Sequence, residues 1–300
     1  MGAMLAADWP DLLIKDMSKI YMDTYPKLPV MSPDLYNVME AEGAYYKTSS
    51  VGTVPDHVAF MGRITPVESV QGYDKTLVYQ EYAAQVQVQH RLASDDWYGV
   101  VKKLGSGLAE SANRSREKLG ASMFNLAFTY EPTDGDGTEL AASDHPSPVS
   151  GVPTQTNEGT SSLSASSVET MRLAMADFRD DQNEMISYEM DTILIPINLE
   201  QTGWEIINST GKVDTAENNS NFHKGKYKML VWKRLTDSNN YFGLVMSEAK
   251  KYFLWLNREP IQYNKDSDSD TMISKSLSYY RCNVGWEAIG WRGIFGQLVS

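Results

Sequence analysis

Residues 94–127 read SDDWYGVVKKLGSGLAESANRSREKLGASMFNLA, and the fold turns on how this stretch is understood. Ser94, Asp95 and Asp96 offer side-chain oxygens to the free amides of a helix start. Val101, Leu104, Leu108, Leu119, Met123 and Leu126 follow at helical spacing, with the small residues Ala112 and Ser115 on the same stripe. A helix of roughly 30 residues would be about 45 Å long at 1.5 Å per residue. Gly105, Gly107 and Gly120 each weaken it by up to about 1 kcal/mol relative to alanine. A long helix with internal glycines must be held by tertiary contact, so the stretch reads as a spine laid across a sheet. Two shorter helices broken at the glycines are the alternative.

Upstream of the spine the period changes. Ala59–Ile64 and Lys75–Leu92 read as the strands of a long hairpin turned at 68–74, with Val86, Val88, His90 and Leu92 on one face and glutamines opposite. A lone hairpin is marginal in water, so it must lie on its own domain or on a neighbouring chain. Residues 1–50 carry one short apolar stripe, Leu12, Leu13, Met17, Ile20 and Tyr21, before Pro26 and Pro29 break it. They read as an arm, or as the first element of a domain.

Downstream, residues 131–166 are rich in Pro, Gly, Ser and Thr and read as a loop, disordered or laid along a surface. Helical period returns at Ser166, where Ser166 and Glu169 fit a capping box ahead of the stripe Val168, Met171, Met175 and Phe178. Residues 191–197 read as a strand buried on both faces. Asn198 can cap the next helix, with Gln201 reaching back. Strands are expected at 227–232 and 241–246 about the turn 237–240. A second long hairpin is expected from 252–257 and 271–284, turned at 264–270, before closing strands between glycines.

The 300 residues carry a net charge of −12 and are 42% hydrophobic. That balance suits a folded chain and disfavours broad electrostatic binding to nucleic acid, which needs a basic face. It leaves room for contact with packed nucleic acid already neutralised by cations. No apolar run approaches a membrane span, and no secretory signal is apparent at the start. Met1-Gly2 opens like a myristoylation site, but Leu5 and Ala6 stand where a hydroxyl residue is wanted. Cys282 is the one cysteine, so no internal disulfide is possible and an intracellular folding compartment is expected.

The search for chemistry is negative. Asp266, Asp268 and Asp270 imitate a calcium loop, but Thr271 and Leu277 replace its glycine and glutamate. Gly105-Ser106-Gly107 lies inside the spine and lacks the context of a phosphate cradle. His57, His90, His145 and His223 are isolated, with no pair spaced for zinc. Asp180, Asp181 and Glu184 read as solvated charge at a helix end. No catalytic, cofactor-binding or metal site is expected, and no cofactor.

The order of elements, with 191–200 (DTILIPINLE), 235–244 (LTDSNNYFGL), 278–281 (SYYR) and 291–296 (WRGIFG), resembles the HK97-fold major capsid proteins of tailed bacteriophages. It looks closest to the branch that includes the Mu-like major head subunit. The resemblance implies an α+β fold with residues 1–54 as N-terminal arm and 55–94 as the extended E-loop. Residues 95–160 would carry the spine helix of the P-domain, 161–250 the A-domain, 251–284 the P-domain long hairpin, and 285–300 the closing A-domain strands. It implies hexamers and pentamers closing into an icosahedral shell around double-stranded DNA held by non-specific contact. Portal, scaffolding and decoration proteins would be partners, with no membrane. The location would be the virion, reached from the host cytoplasm.

In that family the intersubunit residues of the E-loop would be Gln71, Tyr73, Lys75, Val86, Val88 and Leu92. Some relatives weld a loop lysine to a neighbour's asparagine; here Lys75, near the hairpin tip, and Asn264 or Asn283 are the candidates. Cutting 64–86 to a short turn should leave a soluble subunit that forms no shells. An encapsulin-like compartment holding enzymes shares the fold and stays open as an alternative. A two-domain hydrolase is the alternative of a different class, and a monomer at all concentrations would favour it.

Overall fold

A computed structural model describes residues 9–62, 66, 69–89, 91, 99–211, 220–268 and 271–299. The spine is one helix, α3 (Val100–Asn125), preceded by Gly99 at φ +67°. It runs unbroken through all three glycines. The proposed cap at Ser94–Asp96 lies outside the described residues. At Gly105 the backbone of Met17 passes 3.5 Å from where a Cβ would stand, and at Gly120 the rings of Trp255 and Trp232 come within 3.1–3.2 Å. Two of the glycines are therefore close-approach points. Gly107 has nothing within 4 Å of a Cβ, so Gly107→Ala is expected to stabilise the subunit by about 0.5–1 kcal/mol and raise its Tm.

The helix that approaches at Gly105 is α1 (Trp9–Thr24). Tyr21 is fully buried there, and its hydroxyl lies 2.7 Å from Ser278 Oγ. The first part of the expected arm is thus folded onto its own spine. Two shared apolar patches, Met17 with Val88 and Val101, and Tyr21 with Leu108 and Ala109, make that the favourable place for it.

Among the described residues the strands form three sheets. The first has the order β1 (Asn37–Glu40), β9 (Phe253–Asp268), β10 (Ile273–Trp286), β4 (Gln80–Gln89). The long hairpin β9–β10 is longer than expected. Asn264 to Asp268 belong to strand, which places Asp266 and Asp268 in a ladder and not in a calcium-like loop; Asp270 lies outside the described residues. The second sheet has the order β5 (Glu158–Gly159), β11 (Ile294–Gln297), β8 (Tyr241–Leu244), β6 (Thr192–Ile195), β7 (Lys228–Val231). Strand β6 is wholly buried, as its unbroken apolar run predicts. Strands β7 and β8 pair with β6 and not with each other.

The third sheet is a ribbon of β2 (Tyr45–Val51) and β3 (Gln71–Val78). This corrects the expected hairpin. Residues 59–62 are not strand, and the partner of β3 is the polar stretch YYKTSSV. After Tyr79 the chain leaves the ribbon, and β4 joins β10.

Short α2 (Ser32–Leu35) leads into β1. The main core gathers around Phe124, 1% exposed, whose ring meets those of Tyr36, Trp232, Phe242 and Phe253. A second core forms between the five-stranded sheet, α4 (Ala165–Ala176) and α5 (Glu200–Asn208), and contains the expected stripe of Val168, Met171, Met175 and Phe178. Two caps differ from expectation. Ser164 caps α4, with Ser167 completing the box, which frees Glu169 to pair with Arg172 at 2.6 Å. A short 3-10 turn, Ile197–Leu199, precedes α5, so Asn198 makes no cap and the Gln201 amide instead donates to Glu205. Helix α6 (Met246–Tyr252) then turns the chain into β9.

Residues 131–166 run largely along the surface, as one of the two expectations has it, but part of the stretch is packed inward. Leu140, Ala141, Ala142, His145 and Asn157 are all buried. His145, expected to be isolated, stacks on Trp291 at 4.3 Å and sits 2.7 Å from Asp136 and 3.1 Å from Asn157 Oδ1. Asp181 is not solvated either: it is buried and pairs with Arg292 at 2.7 Å.

Candidate assembly surface

The ribbon is about 23 Å long at roughly 3.3 Å per residue, and its contacts with the body extend as far as Asp74 and Lys75. Among the described residues its last backbone rung joins Gly52 N–H to Val70 O at 2.8 Å. Beyond that rung the residues become apolar and bare. Val54, Val58, Phe60 and Met61 are 60%, 75%, 72% and 91% exposed, with Val51 and Val70 beside them. A run of exposed apolar side chains along one connecting segment is more than isolated surface residues and points to a contact surface. Ala59–Ile64 reads as a strand on its apolar residues alone, although the stretch VGTVPDHVAFMGR keeps neither helical nor strand period.

The root of the ribbon is held differently. Lys75 is 3% exposed and pairs with Asp134 at 3.1 Å, with its ammonium 4.8 Å over the Trp286 ring. Burial lowers the Lys75 pKa, and the Asp134 carboxylate opposes that shift. The other oxygen of Asp134 accepts the Thr76 N–H at 2.6 Å. Asp74 O accepts from Gly135, and the Asn283 amide donates to Val78 O at 2.7 Å. Leu77 fills the space left by Gly285, where a Cβ would stand 2.6 Å from it.

The expected contact residues fall into three groups. Gln71 is exposed at the tip end of β3 and Tyr73 is half-buried beside it. Lys75 sits against the body and not near the tip, because Asp134 and Trp286 draw it in. Val86 and Val88 are turned into their own chain, against Met17, Val101 and Leu104, because β4 pairs with β10 beneath the helices. Leu92 lies outside the described residues. Of the candidate cross-link asparagines, Asn283 borders the same cavity of about 540 Å³ as Lys75. Asn264 is exposed on β9, opposite Leu277.

Among the described residues no group of three or more His, Cys, Asp or Glu could hold a metal ion. Among them, no helix is long and apolar enough to cross a membrane.

Comparison with known proteins places this geometry. A family model described as phage capsid protein matches residues 90–296. The chain is similar to the procapsid of bacteriophage JBD30, at 13% identity and TM-score 0.55, over 98% of this chain and 76% of that one. It is similar to the capsid of a native GTA particle, at 11% identity and TM-score 0.56, over 91% of each chain. It is also similar to a virus-like particle from Pyrococcus furiosus, at 9% identity and TM-score 0.52, over 94% of this chain and 98% of that one. At these identities the likenesses show the fold, which is HK97-like. No curated protein matches the chain by sequence.

Proposed function

Because this chain belongs to the phage capsid protein family, we propose that it is a major head subunit whose copies close, as hexamers and pentamers, into an icosahedral shell around double-stranded DNA. The observation that carries the reading is the bare apolar tip of the ribbon, with Phe60 and Met61 at 72% and 91% exposure. Such a tip on one copy needs a surface on another, and contacts that repeat around a closed shell reinforce one another.

In this reading residues 45–78 are the E-loop, and α3 with the β9–β10 hairpin forms the P-domain. Residues 161–250 with the closing segment form the A-domain about the shell axes. A portal, a scaffolding protein and a decoration protein complete the particle, which is built in the host cytoplasm. With a net charge of −12, the inner surface meets DNA through bound cations and not through a basic face. The encapsulin-like alternative is not favoured, since the matching family is one of phage capsids.

Negative-stain microscopy of the purified chain tests the proposal. Closed shells are expected. A monomer at every concentration overturns it, and shells filled with an enzyme instead of nuclease-protected DNA would return the compartment reading.

A further inference from the structure

The ribbon is not continuous with the body's hydrogen-bond ladders. Among the described residues β2 and β3 pair only with each other, while β1 pairs with β9 and β4 with β10. The two crossings are short. One is 41–44, where Gly43 sits at φ +83°, a region open to glycine. The other is Tyr79 alone. The joints are partly anchored, with Ala41 N–H donating to Asn257 O, Arg258 Nε donating to Gly43 O and Tyr79 buried. Among the described residues a single backbone bond, Gly135 N–H to Asp74 O, reaches the ribbon itself; the ribbon's tilt therefore rests largely on the side chains beside that bond.

We propose that Lys75, Asp134 and Trp286 form a latch that sets the ribbon's angle on the body, with 41–44 and Tyr79 as its hinge. A lysine is almost never fully buried unless paired, and separating a buried pair leaves an uncompensated charge in a poor solvent for it. Lys75 therefore ties the ribbon to wherever Asp134 stands. Asp134 grips twice, once through the ammonium and once through the Thr76 amide.

The plate that carries Asp134 is fixed in turn. Gly135 and Gly137, at φ +76° and +79°, turn the loop, and a Cβ at Gly135 would press on Lys75 Cδ at 3.3 Å. Asp136 on the same loop is bound to His145 in the core. The cavity of about 540 Å³ between β3, the end of α3 and Trp286 supplies the room for a second position. If the ribbon tilts, the freed ammonium reaches water there. Two discrete states follow, one with the pair buried and one with it hydrated. The latch belongs to a single subunit and does not depend on the shell reading.

Pulsed electron paramagnetic resonance on the full chain, kept unassembled by dilution, tests it. Nitroxides at Val58→Cys on the tip and Lys118→Cys on the spine report the angle. Cys282 stays unlabelled, being fully buried with its thiol pushed up to about 11. A narrow distance distribution is expected for the parent. Lys75→Met and Asp134→Asn should each widen it and shift its peak, with the circular dichroism unchanged. Lys47→Met, which removes the exposed Lys47–Asp74 pair of the same ribbon, should leave it narrow. Asp134→Asn keeps an acceptor for Thr76 and decides the matter if Lys75→Met fails to fold. A distribution unchanged by Asp134→Asn, widened equally by Lys47→Met, or already broad in the parent overturns the latch. So does loss of the fold in Asp134→Asn.

Discussion

Replacing residues 53–69 with Asn-Gly is expected to give a soluble, folded subunit that forms no shells. The cut leaves the rung between Gly52 and Val70 in place, and two residues of that type close a hairpin through a type I′ turn. Lys75, Leu77 and the whole of β4, which are packed on the body, remain. What is lost is Val54, Val58, Phe60 and Met61. Each such side chain is worth about 1.5–3 kcal/mol when fully buried. Losing even half of the total for the four, about 3–6 kcal/mol, weakens one contact by about two to four powers of ten at about 1.4 kcal/mol per tenfold, and a closed shell repeats the contact in every subunit. Circular dichroism and the melting temperature should match the parent, while electron microscopy shows no particles. Shells of ordinary size would remove the tip from the assembly surface.

A cut across 64–86, the one suggested by reading 59–92 as a hairpin, is a different experiment. It would take away Lys75, Leu77 and Val86, which are packed on the subunit itself, and would damage the fold it was meant to spare.

The contrast between the two cuts shows where the sequence was legible. The spine and α4 were visible because a helix writes its buried face into neighbours three and four residues away. The β6 run was visible because a strand covered on both faces needs only its own apolar residues. The partner of β3 was not visible. Strand pairing is non-local, and Tyr45–Val51 alternates half-buried with exposed residues that are mostly polar, so nothing in it declares a strand. Lys75 looked like an exposed lysine because the carboxylate that buries it arrives from Asp134, far along the chain. Residues 1–50 could be read equally as an arm or as the first element of a domain because Gly105, which receives α1, appears in the sequence only as a weak point in a helix. The bare tip could be read as an apolar stretch but not as a surface, because exposure depends on what the rest of the chain leaves uncovered.

The same reasoning explains why the inward packing within 131–166 was hidden, and it leads to the largest stability effect expected in this molecule. Asn157→Leu keeps nearly the same volume but is expected to cost about 5 kcal/mol or more, a large part of a typical domain's 5–15 kcal/mol. Asn157 is fully buried. Its amide nitrogen contacts the carbonyls of Leu140, Trp291 and Ile294 at 2.8, 3.0 and 3.2 Å. Its carbonyl oxygen accepts from Ala142 N–H at 2.8 Å and lies 3.1 Å from His145 Nε2. One side chain thus joins the crossing segment to the closing strand, so part of a Pro- and Ser-rich stretch can be packed inward without an apolar stripe. Leucine satisfies none of these groups, and each buried donor or acceptor left unpaired costs about 1–3 kcal/mol. Asn157→Asp should be no rescue, since a carboxylate oxygen would then face three carbonyls. Urea unfolding should show a much lower midpoint in both variants, or no folded protein at 37 °C. An Asn157→Leu variant within about 1 kcal/mol of the parent would mean that the crossing is held by its backbone pairing with β11 and by apolar contact, without need of the Asn157 side chain.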